Sequence, residues 1–243
     1  MNSARQRGPT FRTPLSAKGK LMLGHDIGNR EQWRKAYEDL RAQEKELTRR
    51  SDTLARQRQA LPWVPVAKDY RFETNAGEKT LAQLFDGRSQ LIIRHFMHGP
   101  KTPEGCPGCT FETDNLVGAV PHLAQHDVTF ILASRSPLAT LNAYKQRFGW
   151  DIEWVSLGDN GFNDDFFDIM RTSAVHRPPG NMLDVMELMA LSCFALDDGV
   201  VYHTYSTYDR GTDALNAIWQ LLDRAPLGRG GDFPNWPRKR DEY

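Results

Sequence analysis

Two periods organise the apolar residues of this chain. Between Asn29 and Pro62 a charged segment carries Trp33, Leu40, Leu47, Leu54 and Leu61 at intervals of seven, with Tyr37 on the same stripe. This pattern predicts one long amphipathic helix over residues 29–62, with Asn29 as its cap. The alternate heptad positions hold Glu44, Ser51 and Arg58, so the seam is too narrow for a good coiled coil. The helix is therefore expected to lie across the folded domain or against a second copy, making a homo-oligomer. Pro62 and Pro65 end it, because proline cannot continue a helix and disfavours helical geometry in the residue before.

Beyond Trp63 the pattern shortens. Residues 91–97 (Leu-Ile-Ile-Arg-His-Phe-Met) read as a buried strand and residues 128–133 as another; residues 110–123 and 137–148 read as helices. Residues 191–196 and 200–205 flank Asp197-Asp198-Gly199, a strong hairpin signal. Residues 212–222 place Leu215, Ile218, Trp219 and Leu222 on one helical face. An Asn75-Ala76-Gly77 turn and a short helix over 80–85 precede the first core strand, and residues 149–190, rich in aromatics and aspartates, read as an irregular insertion. The resulting β-α-β-α-β-β-α order predicts an α/β fold with a mixed central sheet. The expected divisions are a disordered basic tail (1–28), the helix (29–62), one domain (63–225) carrying the 149–190 insertion, and a C-terminal tail (226–243) that packs or extends.

Composition narrows the function classes. The 243 residues include 31 basic and 31 acidic side chains, a balance that points to neither nucleic acid nor an anionic membrane. No stretch reaches the roughly 18 apolar residues of a membrane span. The first 25 residues carry Arg5, Arg7, Arg12, Lys18 and Lys20 but lack the apolar core of a secretory signal. Three cysteines do not make a secreted disulfide scaffold and fit a reducing, cytoplasmic setting.

Two of those cysteines carry the chemistry. Cys106-Pro107-Gly108-Cys109 follows the first core strand and opens the next helix. A cysteine at a helix N-terminus meets unpaired N–H groups and the positive end of the helix dipole, which favour thiolate, and a second cysteine three residues on lies on the same face. Strand, turn, C-x-x-C, helix is the arrangement of a thioredoxin-like redox motif. In this reading Cys106 attacks and Cys109 resolves, Pro107 presets the first helical turn, and Gly108 leaves room for an approaching sulfur. The partner is a thiol or disulfide, small or protein-borne, and no cofactor is expected. A soft-metal site made of His95, His98, Cys106 and Cys109, with His122 and His126 also near in sequence, is the rival reading. Two inert buried thiols, or a redox fold kept as a non-catalytic scaffold, are the others. His95 is a candidate proton carrier beneath the cysteine turn, and His203 and Tyr205, with Tyr208, are candidate site-shaping residues on a late strand. Cys193 reads as a small apolar core residue, and Arg210-Gly211 as a loop arginine or an anion contact.

Several ordered blocks carry a family resemblance. They are Leu61-Pro62-Trp63-Val64, Lys68-Asp69-Tyr70-Arg71-Phe72, Leu84-Phe85-Asp86-Gly87-Arg88-Ser89-Gln90-Leu91, His95-Phe96-Met97, Gly105-Cys106-Pro107-Gly108-Cys109, Gly118-Ala119-Val120-Pro121-His122-Leu123, Phe148-Gly149-Trp150, His203-Thr204-Tyr205-Ser206-Thr207-Tyr208-Asp209-Arg210-Gly211 and Arg240-Asp241-Glu242-Tyr243. Together these resemble the thioredoxin-like family catalogued as domain of unknown function 899, described as predicted dithiol-disulfide oxidoreductases. The resemblance implies a thioredoxin-like fold and dithiol chemistry, and no particular substrate. Two positions depart from the family pattern. Met189-Ala190 stands where Pro-Gly is usual, near the place of the thioredoxin cis-proline, and His98 stands where an aromatic residue is expected. The hydroxyl residue of a peroxiredoxin site is also missing, since Pro103 takes its place, so disulfide exchange ranks above peroxide reduction.

Overall fold

In a computed structural model, residues 26–172, 189–229 and 237–243 are described. The chain divides into two units, Met1–Thr53 and Leu54–Tyr243. Helix α1 spans Arg30–Gln59. Asn29 caps it reciprocally, its Oδ1 accepting from the Gln32 N–H at 2.9 Å while Gln32 Oε1 accepts from the Asn29 N–H at 2.8 Å. No residue of α1 is buried, and the heptad stripe is open, with Trp33 at 53 % and Leu47 at 69 % exposure. The last turn of the helix belongs with the second unit, where the Arg58 guanidinium stands 5.6 Å from the Tyr205 ring centre.

The second unit is built on one eight-stranded mixed sheet. Its strands are β1 (Val64–Pro65), β2 (Arg71–Thr74), β3 (Gly77–Thr80), β4 (Gln90–His95), β5 (Val128–Ser134), β6 (Trp154–Ser156), β7 (Ala190–Asp197) and β8 (Val200–Tyr208), in the spatial order β1-β8-β7-β4-β5-β6-β2-β3. β4 is central. It pairs in parallel with β5, which pairs in parallel with β6, and antiparallel with β7 on its other side. The β7–β8 hairpin turns through Asp198 and Gly199, both at positive φ, which is the two-residue turn that matches strand twist.

Among the described residues of this unit the helices are α2 (Pro107–Leu116), α3 (Val120–Gln125), α4 (Leu138–Phe148), α5 (Phe162–Thr172) and α6 (Ala217–Leu222). Side chains alternate across β4, so Leu91 and Ile93 enter one core with Phe85, Phe162 and Phe166. Ile92 packs into the opposite core with Cys109, Leu132, Leu141, Phe148 and Trp154. Helices α2 and α4 thus cover one face, and α5 covers the other. The β4-α2-β5-α4-β7-β8-α6 order with neighbours β8-β7-β4-β5 is the thioredoxin-like arrangement expected from the sequence.

Three expectations change in detail. The helix over 110–123 is two helices, α2 and α3, joined by a 3-10 turn at Val117–Ala119, because Pro121 has no N–H to continue the helical ladder. The helix over 212–222 is a 3-10 turn, Asp209–Leu215, followed by α6. Asn216 separates them, its side chain capping the N–H groups of Ile218 and Trp219. Residues 149–190 are not irregular where described: they supply β6, a sheet strand with a buried side chain at every position, and α5. The expected basic tail, apart from residues 26–28, and residues 173–188 of the insertion lie outside the described residues.

Candidate active site

The carboxyl end of β4 leads through Phe96, Met97 and His98 into the cysteine loop. The Cys106 N–H donates to the Met97 carbonyl at 3.0 Å, tying the loop back to the strand it left. Gly105 makes this path possible: its φ is +68°, and a side chain there would stand 2.7 Å from the Tyr144 ring. Cys106 is the N-cap of α2 in an extended conformation, with Pro107 at the first helical position, where a missing N–H costs nothing. The Thr110 hydroxyl sits one turn on, 2.9 Å from the Cys106 carbonyl and 2.8 Å from the Tyr144 hydroxyl.

Cys106 and Cys109 are both unbonded thiols, the first half-buried and the second fully buried. The Cys109 N–H donates to Cys106 Sγ at 3.5 Å. The two thiols are shifted in opposite directions. The Cys109 thiol hydrogen bond, joined by the N–H groups of Cys109 and Gly108 and by the positive Arg94, outweighs burial and brings Cys106 down to about 7. Burial, with the Cys106 thiolate beside it, pushes Cys109 well above the ordinary thiol value. A half-buried sulfur with a lowered pKa thus stands next to a buried one whose pKa is raised.

Under α2 lies a buried ion pair absent from the sequence expectations. Arg94 on β4 bonds Glu112 on α2, both almost fully covered, and its Nη1 donates to the Ala190 carbonyl at 2.8 Å. Ala190 pairs with His95 at the end of β4 where the cysteine loop departs. The cation therefore fastens the cysteine helix to β4 and β7 together. Burial raises the Glu112 carboxyl despite the attraction of Arg94. The signal in the sequence was a lone arginine within the apolar run Leu91-Ile92-Ile93-Arg94.

The histidine expectations are corrected. His95 is not beneath the cysteine turn. By strand alternation it points to the α5 face, stacked on Phe162 and bonded through Nδ1 to Asn163 Oδ1 and through Nε2 to Ser192 Oγ, each at 3.0 Å. Ser192 continues to Ser206 at 2.9 Å and Ser206 to His203 Nε2 at 2.7 Å, so His203 too belongs to this second face, against Phe166 and Phe194. His98 is buried against Tyr144 and Trp154 and meets the Ser136 hydroxyl at 2.8 Å, an imidazole packed where an aromatic residue was expected. The four residues of the metal reading are thus spread over two faces, and among the described residues no three His, Cys, Asp or Glu side chains converge as a metal cage.

Tyr205 pairs with Cys193 across β7 and β8, and both line a separate cavity of about 650 Å³ with Arg58, Trp63 and Ile92. Burial alone raises the Cys193 thiol to about 12, so it stays an inert, protonated side chain. Tyr208 donates to the Phe166 carbonyl at 2.5 Å, and exposed Arg210 pairs with Asp213. Among the described residues no helix is long and apolar enough to cross a membrane.

Burial lowers His95 to about 4, and lowers His203 as well. The unfolded chain therefore binds protons that the folded chain refuses. The His95 contribution is complete above about pH 6.5, is lost as pH falls towards 4, and is constant below. The expected loss is about 3 kcal/mol for this group, since each tenfold drop in proton affinity on folding is worth about 1.4 kcal/mol. Urea unfolding between pH 7 and 4 checks it: His95→Gln lowers stability at pH 7 but flattens the decline by about that amount, whereas parallel profiles would mean His95 is not the titrating group.

Fold and site together define a thioredoxin-like α/β protein that carries a free dithiol at the N-terminus of the helix after its central strand. Residues 22–243 match the family described as bacterial protein of unknown function (DUF899), and the chain belongs to that family. No curated protein matches it. Solved structures similar to it include peroxiredoxin Q from Xanthomonas campestris, at 17 % identity over 66 % of this chain and 97 % of that one, with a TM-score of 0.44. Others are the peroxidoxin BcpB from Mycobacterium tuberculosis (15 % identity, 67 % of this chain and 96 % of that one, TM-score 0.41) and a mitochondrial 2-Cys peroxiredoxin from Plasmodium falciparum (10 % identity, 70 % and 96 %, TM-score 0.41).

Proposed function

We propose that the protein is a thiol-disulfide oxidoreductase working through Cys106 and Cys109. One observation carries the reading: an acidic, half-buried sulfur at the cap of α2, 3.5 Å from the N–H of a buried second cysteine. The Cys106 thiolate attacks one sulfur of a disulfide RS–SR, forming Cys106–S–SR and releasing RS⁻. Cys109 then gives up its proton and attacks Cys106 Sγ, releasing the second RS⁻ and closing the 106–109 disulfide. Two electrons pass to the substrate, and an external dithiol restores the pair. The raised value of Cys109 fits this order, because a protonated thiol waits until the mixed disulfide has removed the negative charge beside it.

The test is turnover of 2-hydroxyethyl disulfide with dithiothreitol as donor, with metal analysis of the same preparation. Turnover is expected in the wild-type protein, falling by about a hundredfold or more in Cys106→Ser to the uncatalysed rate. Equal turnover in Cys106→Ser, or stoichiometric metal that shields both thiols from alkylation, would overturn the reading.

A further inference from the structure

The last seven residues, 237–243, lie on the cysteine loop. A methyl group placed on Gly108 would fit in contact with both Cys106 Sγ, at 3.7 Å, and Pro237 Cγ, at 4.0 Å, so the Pro237 ring stands about one methyl's breadth from the peptide between the two cysteines. Lys239 is buried. Its ammonium donates to the Glu104 carbonyl at 2.6 Å, on the rim of the same loop, and stands 5.6 Å from the Tyr144 ring centre. Arg240 pairs with Asp114 on α2 at 3.1 Å, and Asp241 with Arg147 on α4 at 2.6 Å. The segment is thus fastened at three points around the dithiol.

We propose that this C-terminal strap is the specificity determinant of the site, admitting small disulfides to Cys106 and excluding the extended chain of a protein disulfide. The inference rests on the redox reading above. An extended peptide docks on a redox loop by laying its backbone alongside, at the roughly 4.8 Å spacing of paired strands. A strand laid beside Gly108 at that spacing would run into the Pro237 ring, which has no N–H to offer in exchange. At the rim of the loop the Glu104 carbonyl, a polar group a docking backbone would meet, is already engaged by Lys239. A compact disulfide needs neither contact. It requires only a path to the half-buried Cys106 sulfur, which then makes the exchange already written.

The experiment is single-turnover oxidation of the pre-reduced full-length protein by 2-hydroxyethyl disulfide or by insulin, read by quenching and alkylation of the remaining thiols. Two variants loosen the strap: Lys239→Met removes the buried bond to Glu104, and Arg240→Gln/Asp241→Asn removes the ion pairs to Asp114 and Arg147 while leaving Lys239 in place. Thermal melting confirms that each variant is folded, and the second reads the strap even where the first is not. The expected result is that insulin reacts about tenfold or more faster in the loosened variants, while the small disulfide changes by less than about threefold. Equal changes for both substrates, or no change for insulin, would overturn the strap as a filter. Wild-type protein that exchanges with neither substrate would instead overturn the redox reading beneath it.

Discussion

Cys109→Ser protein incubated with a disulfide accumulates a stable mixed disulfide on Cys106, whereas Cys106→Ser accumulates none on Cys109. The asymmetry follows from position. Cys106 caps α2, where the Cys109 thiol hydrogen bond and N–H donors from within the first turn lower its pKa and favour the thiolate. Cys109 is fully covered and held protonated by burial, out of reach of an external disulfide until its neighbour has reacted. Intact-mass spectrometry reads the adduct directly, and the expected ratio between the two variants is about a hundredfold or more. Serine at 109 also removes the strongest support of the Cys106 thiolate, the Cys109 thiol hydrogen bond, only in part, because the serine hydroxyl donates too. Adduct formation in Cys109→Ser therefore persists, with its pH dependence displaced upward. An adduct on Cys109 in Cys106→Ser, at a comparable rate, would reverse the roles.

Arg94→Met destabilises the protein by about 3–5 kcal/mol, the cost of leaving a buried carboxylate without its partner. Glu112 is then stranded between α2 and the sheet, and the Ala190 carbonyl loses its donor. The double variant Arg94→Met/Glu112→Leu recovers much of that loss, since a packed apolar pair often matches a buried ion pair in stability. It does not recover the positive charge acting on the dithiol. Cys106 in the double variant titrates higher than in the wild type, seen as an upward move in the pH dependence of its alkylation by iodoacetamide. Urea unfolding and alkylation together separate the two roles. A double variant with the wild-type alkylation profile would make the pair purely structural.

Much of this was legible because the signals were local. The cap of α1 by Asn29, the Asp198-Gly199 hairpin and the placing of Cys106 at a helix start each depend on a few neighbouring residues. What the sequence hid was parity and distance. Along β4 the cysteine helix meets Arg94, and the one-residue step to His95 sends the imidazole through the sheet to α5; nothing in the run Ile93-Arg94-His95 says which face α2 will cover. β6 is only three residues long, and its Trp154-Val155-Ser156 pattern is too short to read as a strand until β5 lies beside it. The strap joins Lys239 to Glu104 across 135 positions, a contact that no periodicity announces.

The central claim is that Cys106 and Cys109 interconvert between dithiol and disulfide. Peptide mapping by mass spectrometry, on protein oxidised by one equivalent of 2-hydroxyethyl disulfide and again after reduction by dithiothreitol, tests it most directly. The account predicts a 106–109 linkage that forms with the loss of two alkylatable thiols, leaves Cys193 free, and disappears fully on reduction. Both thiols remaining free after oxidation, or a linkage of either one to Cys193, would contradict it.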